Sequence, residues 1–165
     1  MNVYIISDLH LGHEKIALLR GFKSAEEQDE VIISNWNKIV NKRDKIIIPG
    51  DITMEKAEPL RNLLKMNGFK HVIPGNHDIK GMRQLLDFSQ KVTGPFKYKK
   101  KIWITHFPIH PLELHGKMNA HGHVHQKSIE DEMYFNVSAD VLEYRPLDIR
   151  VILDKYDLIM AERKK

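Results

Sequence analysis

The sequence predicts an α/β sandwich: two mixed β-sheets face to face with helices outside, four layers in all. Two observations point there. Up to about residue 90, apolar runs of strand length alternate with segments whose apolar residues recur at helical spacing, the mark of βαβ units. Beyond it, short extended runs dominate, separated by turn residues such as Gly94-Pro95 and Glu130-Asp131, so a mostly β half follows. No linker, low-complexity tract or internal repeat interrupts the 165 residues, and one domain over 1–165 is expected.

The elements follow in order. Residues 2–7 form the first strand and 12–20 a short helix. Ser24-Ala25-Glu26-Glu27 fits a capping box, with Ser24 as N-cap and Glu27 at the third helical position. The helix it opens carries Ile32, Trp36 and Ile39 on one face. A strand at 45–49, a helix at 55–66, a strand at 71–74 and a helix near 82–88 complete the first half. Extended runs are expected at 98–105, 118–121, 133–138 and 149–153, and a frayed tail at 163–165.

The composition, 42% hydrophobic and 29% charged, is that of an ordinary water-soluble chain. No apolar run approaches the roughly 18 residues that a membrane span needs. The N-terminus has no basic lead and no cleavage site, so it reads as a core strand rather than a signal peptide, and a cytoplasmic location fits. There is no cysteine, which excludes disulfides and thiolate metal sites. The net charge of +4 and the pI near 9.2 permit polyanion binding without requiring it.

Five short stretches carry metal-binding residue types: Asp8-Leu9-His10, Gly50-Asp51, Gly75-Asn76-His77-Asp78, His106 and Gly122-His123-Val124-His125. Most follow a strand-length apolar run, so one sheet end would deliver them together. In an extended segment Asp8 and His10, two apart, leave on the same side, as do His123 and His125, with His121 extending that row. Asp51 has two oxygens and can bridge two cations; alone, it reads equally as a helix N-cap. Asn76 offers a neutral carbonyl oxygen, and Asp78 would orient His77 or hold it protonated; the same string also suits a plain turn. His106 alone reads as a satisfied polar residue, and the final pair alone as a solvated loop.

Taken in order, the set resembles the calcineurin-like metallophosphoesterase superfamily, whose pattern is Asp-x-His, Gly-Asp, Gly-Asn-His-Asp/Glu, His, Gly-His-x-His. Every element is present between residues 8 and 125, and the family's helix-flanked β-sandwich agrees with the fold read above. The resemblance implies that Asp8, His10 and His125 bind one metal, that Asn76, His106 and His123 bind a second, and that Asp51 bridges both. It implies that His77 lies beside the substrate phosphate as a catalytic group with Asp78, without ligating metal. The N and O donors suit Mn, Fe, Co, Ni or Zn and admit Mg; two divalent ions are expected, manganese first. With Asp8, Asp51 and a bridging hydroxide, they leave about one net positive charge, and the hydroxide would attack phosphorus.

The substrate is read as a phosphodiester or nucleotide, because no arginine is visibly placed to hold a dianionic monoester, although Arg20, Arg83 or Arg145 would change that if folded in. A phosphatase of a small metabolite is the alternative, and a non-catalytic metal-binding scaffold a further one. Protein serine/threonine phosphatases carry Asp-Arg-Gly after the Gly-Asp; here Ile52-Thr53-Met54-Glu55 follows, which argues against that branch. Residues 135–140, Tyr144-Arg145-Pro146 and residues 8–13 resemble small bacterial and phage members. His13 reads as a helix N-terminal residue or a substrate contact, and His110 and His115 as possible pocket residues. Lys97, Lys99 and Lys101 alternate onto one face, with Phe96 and Tyr98 available for stacking on a nucleic acid; a solvated hairpin is the favoured reading. No membrane association and no obligate protein partner are expected.

Overall fold

The computed structural model describes residues 1–54 and 57–164. Its elements are β1 (Val3–Ile5), α1 (Glu14–Leu19), α2 (Ala25–Ile39), β2 (Lys45–Pro49), a 3₁₀ helix (Glu58–Lys65), β3 (Phe69–Ile73), a 3₁₀ turn (Ile79–Gly81), α3 (Met82–Phe88), β4 (Lys91–Val92), β5 (Phe96–Tyr98), β6 (Ile102–Ile104), α4 (Pro111–Leu114), β7 (Met118–His121), β8 (Tyr134–Asn136), β9 (Leu147–Asp148) and α5 (Ile149–Glu162). They form two mixed sheets flanked by helices, of order β4-β3-β2-β1-β9 and β5-β6-β7-β8. Within the first sheet β1 to β4 run parallel and β9 antiparallel; in the second only the β5/β6 pair is antiparallel.

The parallel strands bury both faces, which is why they read as continuous apolar runs. Ile46 and Ile48 of β2 enter a core with Ile32 and Trp36 of α2, whereas Ile47 between them enters a second core with Ile102, Ile104, Met118 and Ala120 of the other sheet. β1 and the residue after it divide likewise, Tyr4 and Ile6 to the first core and Ile5 to the second. The sheets join beyond their strand ends, where the Ser7 amide donates to the Val137 carbonyl and the Ala139 amide to the Ser7 carbonyl, both at 2.9 Å.

Three local readings need correction. Residues 149–153 are not extended: they open α5, capped by Asp148, whose carboxylate accepts from the Arg150 amide at 2.9 Å. Their β-branched character suggested a strand, but Ile149, Ile152, Leu153 and Ile159 share one helical face and fill the second core. The 55–66 helix is a 3₁₀ helix from Glu58; the start expected at Glu55 and Lys56 lies outside the described residues, as does Lys165 of the expected tail. In the capping box, Ser24 Oγ accepts from the Glu27 amide at 3.3 Å, while the Glu27 carboxylate takes the Lys23 amide at 2.6 Å, one residue before the cap.

Candidate metal centre

The parallel strands end on one side of the molecule, so the loops after β1, β2, β3, β6 and β7 converge there. The backbone in these loops is not extended. Asp8, His10, Asp51, His123 and His125 all have positive φ, between 49° and 71°. Non-glycine residues rarely adopt this left-handed conformation, and it concentrates at functional sites. It also removes the extended strand expected at both i, i+2 pairs, yet Asp8 and His10 still fall in one ligand group. His123 and His125 separate, one to each of two ligand groups.

The first group is Asp8, His10 and His125, whose candidate ligand atoms lie within 4.8 Å of one another. The imidazoles of His10 and His125 stack at 5.1 Å between centroids, with Nε2 atoms 3.3 Å apart. His125 Nδ1 donates to Asp140 Oδ2 at 3.0 Å; that hydrogen bond raises the His125 pKa against burial and holds the ring with its Nε2 toward His10. Burial, helped by Arg20 and His125, drives the His10 pKa down to about 2, so that ring is neutral. Asp8 Oδ2 accepts from Ser7 Oγ at 2.7 Å and Ser138 Oγ at 2.6 Å, and both Asp8 oxygens accept from the His123 amide at 3.0 Å.

The second group is Asp51, His106 and His123, also within 4.8 Å. His106 Nδ1 donates to the Pro49 carbonyl at 2.9 Å, so its Nε2 carries a lone pair. That lone pair faces the Asn76 amide group, whose Oδ1 is 2.9 Å away, and Asp51 Oδ1 at 3.4 Å. Asp51 Oδ2 turns the other way, 3.9 Å from His10 Nε2. One carboxylate thus presents an oxygen to each group. Burial raises the Asp51 pKa, against the pull of His106 and the His77 amide. Nitrogen and oxygen donors that converge this closely are what a divalent cation relieves, and imidazoles, carboxylates and an amide oxygen suit such ions.

Glycine is required at three places in this frame, one of them Gly75, where a Cβ would run into the Asp51 carboxylate and the His106 ring. At Gly50, φ is 83° and a Cβ would stand 2.6 Å from the Gly75 backbone and from His106 Nδ1. At Gly122, a Cβ would run into Ser7 Oγ and Asp8 Oδ2. Larger residues at any of these positions would push a ligand aside.

The sequence matches the calcineurin-like phosphoesterases over residues 1–162. The chain belongs to that family. An uncharacterized protein of Methanocaldococcus jannaschii is 30% identical, over 92% of this chain and 89% of its own length. The gene 66 protein of Mycobacterium phage D29 is 38% identical over 47% of this chain, which spans 40% of that relative. Among solved structures, a protein of unknown function from Aquifex aeolicus superposes with a TM-score of 0.74 at 26% identity, covering 93% of this chain and 98% of that one. A nuclease of Pseudomonas putida shares the fold, with a TM-score of 0.54 and 19% identity over 74% of this chain and 61% of its own. Membership makes this protein a metal-dependent phosphoester hydrolase. Among the described residues no helix is long and apolar enough to cross a membrane.

The remaining candidates of this calcineurin-like phosphoesterase fall in distinct places. The His77 ring lies 5.9 Å from that of His10, and its amide donates to Asp51 Oδ1 at 3.1 Å. Asp78 is buried, and its carboxylate accepts from the amides of Asp51 at 2.7 Å, Gly75 at 2.9 Å and Ile52 at 3.0 Å. It therefore braces the loops that carry the ligands. Burial raises its pKa against the pull of those amides. His13 caps α1, Nδ1 accepting from the Ile16 amide at 3.0 Å, 6.3 Å between ring centroids from His10. His110 is exposed and caps α4, and His115 stands at that helix's other end.

Arg20 does not reach for substrate. It is buried, pairs with Asp140 at 2.7 Å, and donates to the carbonyls of Asp8 at 2.7 Å and Leu9 at 3.0 Å and to Gln28 Oε1 at 3.0 Å. Gln28 in turn donates to the His10 carbonyl at 3.1 Å. Burial alone would raise the Asp140 pKa; the hydrogen bonds from His125 and Arg20 more than reverse it and hold the group well below the carboxylate range. This scaffold of Arg20, Asp140, Gln28, Ser7 and Ser138 was missed in the sequence. Ser138 and Asp140 had a signal there, their place in the 135–140 string, and Arg20 was weighed only as a substrate contact.

The basic run is a hairpin turn. Lys99 and Lys100 have φ of 46° and 60°, and the Lys101 amide closes the turn on the Tyr98 carbonyl at 3.0 Å, so the alternation stops. Lys97 lies over the Trp103 ring at 4.6 Å and Lys101 pairs with Asp157 at 2.6 Å. Phe96 and Tyr98 pack against the second core, Phe96 stacked on His71, and do not offer faces to a nucleic acid.

Proposed function

We propose that this protein hydrolyses a phosphodiester or nucleotide at a centre of two divalent ions, manganese being the expected metal. The observation that carries the reading is Asp51, one carboxylate with an oxygen toward each of two histidine-aspartate groups. Asp8, His10 and His125 would hold one ion, Asn76, His106 and His123 the other, and Asp51 both. When bound, such a pair supplies a hydroxide nucleophile near neutral pH and balances charge on the phosphoryl oxygens. His77, fixed through its amide to Asp51, stands beside the centre, where its ring would protonate the departing ester oxygen. Asp78 is a positioning residue, acting through the backbone of Asp51.

Charge supports a diester over a monoester. Arg20 is committed to Asp140, Arg145 lies exposed near Glu143, and Arg83 is exposed. Asp78 adds an acidic group against the Asp51 amide, which makes the centre less welcoming to a dianion. The test is hydrolysis of bis-p-nitrophenyl phosphate against p-nitrophenyl phosphate, with Mn²⁺ and with chelator, using Asp51→Asn as the control. Chelator-sensitive turnover that favours the diester and disappears in Asp51→Asn is expected. A faster monoester would make the protein a phosphatase; no turnover of either ester by metal-loaded protein would sink the reading.

A further inference from the structure

Two clefts each reach one candidate ligand side chain, His125 of the first group and His106 of the second. The first, of about 410 Å³, runs from His125 between α1 and the loop after β7; Ile16, Leu19 and Val124 form its apolar walls and Lys127 stands at its rim. The second, of about 290 Å³, runs from His106 along Ile73, Pro74, Pro95, Phe107 and Ile109. Both walls carry large apolar side chains in water: Leu19 is 72% exposed and Phe107 48%. A single exposed apolar residue is ordinary. Here each one forms the open wall of a cleft that leads to a candidate metal ligand. Phe107 also packs its ring 4.4 Å from that of His123 and 4.8 Å from that of His106, so its free face borders the second group.

The charges in the clefts fit an anion of low charge with apolar substituents. Arg20 and Asp140 line the first cleft but neutralise each other, and among the described residues Lys127 is the one lysine or arginine of its lining outside an ion pair. Among the described residues no Asp, Glu, Lys or Arg lines the second cleft, whose polar groups are the His106 imidazole and Thr105. We propose that the two clefts seat the two organic arms of a phosphate diester, each of aromatic or nucleobase size, one ring against Phe107 and the other against Ile16 and Leu19. This rests on the phosphodiester reading above and gives it a substrate shape: two bulky arms, where a phosphomonoester has one.

The test uses manganese-loaded protein and two non-hydrolysable monoanions, diphenylphosphinate with two rings and methyl(phenyl)phosphinate with one, their affinities measured by calorimetry. Equal charge leaves the second ring as the difference. The wild type should bind the two-ring anion about tenfold tighter, the effect of burying part of one more ring. Leu19→Ala and Phe107→Ala should each remove most of that preference, while the one-ring anion loses little because its ring can take either cleft. Phe107→Leu should restore part of it, and metal analysis should show unchanged ion content in all three variants. Equal affinity for the two anions in the wild type, or a preference that survives both alanine variants, overturns the clefts as arm sites and leaves the metal centre standing. Failure of metal-loaded protein to bind either anion overturns the phosphoesterase reading together with this inference.

Discussion

The two ligand groups meet at Asp51 but are built to different depths. In the first, Asp8 and His10 are fully buried, and Ser7, Ser138, Asp140, Arg20 and Gln28 hold the ligands or their backbone in place. In the second, His123 is exposed, Asn76 is half-buried and uncharged, and His106 is fixed by one backbone carbonyl. A rigid, screened ligand set needs less reorganisation when it binds an ion than an open one. The first ion should therefore bind more tightly, and a chelator should take the second first.

The largest test of this comparison removes what the groups share. Asp51→Asn leaves each group without its common carboxylate oxygen, so both affinities should fall in a metal titration and turnover should drop on the order of 10³-fold. Loss at one group only would mean that Asp51 does not bridge. Next comes the change that should touch neither group. His77→Ala should keep both ions and lose about 10²-fold in kcat, the size of a general acid. A variant that lost metal as well would make His77 a ligand.

A smaller and more selective effect belongs to the scaffold of the first group. Arg20→Met leaves the Asp140 carboxylate without its cation and three acceptors without their donor. Removing one partner of a buried ion pair costs about 3–5 kcal/mol, to be read in urea unfolding. Affinity at the first group should fall roughly 10- to 100-fold, as for other changes just behind a metal ligand, with the second unaltered. Equal losses at both would show that the two groups respond as one unit.

How much of this was legible in the sequence differs between the same two levels of structure. The candidate ligands could be named because most of the motifs sit at the end of an apolar run, and parallel strands bring such ends together. The left-handed backbone at Asp8, His10, Asp51, His123 and His125 could not be, since nothing in those side chains demands it; the surrounding contacts impose it. Ser7 and Ser138 look like any serine, and Arg20 lies 120 residues from the Asp140 it pairs with. Local propensity misled in α5, where an Ile-Arg-Val-Ile-Leu string suits a strand by composition and a helix by the face it buries.

The smallest effect lies outside both groups and sets the baseline against which acid loss at either must be judged. His71 in β3 is buried, its Nε2 bonded to Thr93 Oγ1 at 2.7 Å and its Nδ1 without a partner among the described residues. Burial, with Lys45 and Lys91 nearby, lowers its pKa to about 4. The unfolded chain keeps a histidine pKa near 6.5. Between these values the unfolded state binds a proton that the folded state refuses, so stability is complete above about pH 6.5 and falls toward pH 4. At pH 5 the loss from this residue is about 2 kcal/mol. Unfolding of chelator-treated wild type and His71→Leu at pH 7 and pH 5 isolates it, because His10, also with a lowered pKa, contributes equally to both. The variant should show the smaller pH 7 to pH 5 drop. An identical drop would mean that the fall comes from other histidines, His10, His121 and His123, whose pKa values burial also lowers, and not from His71.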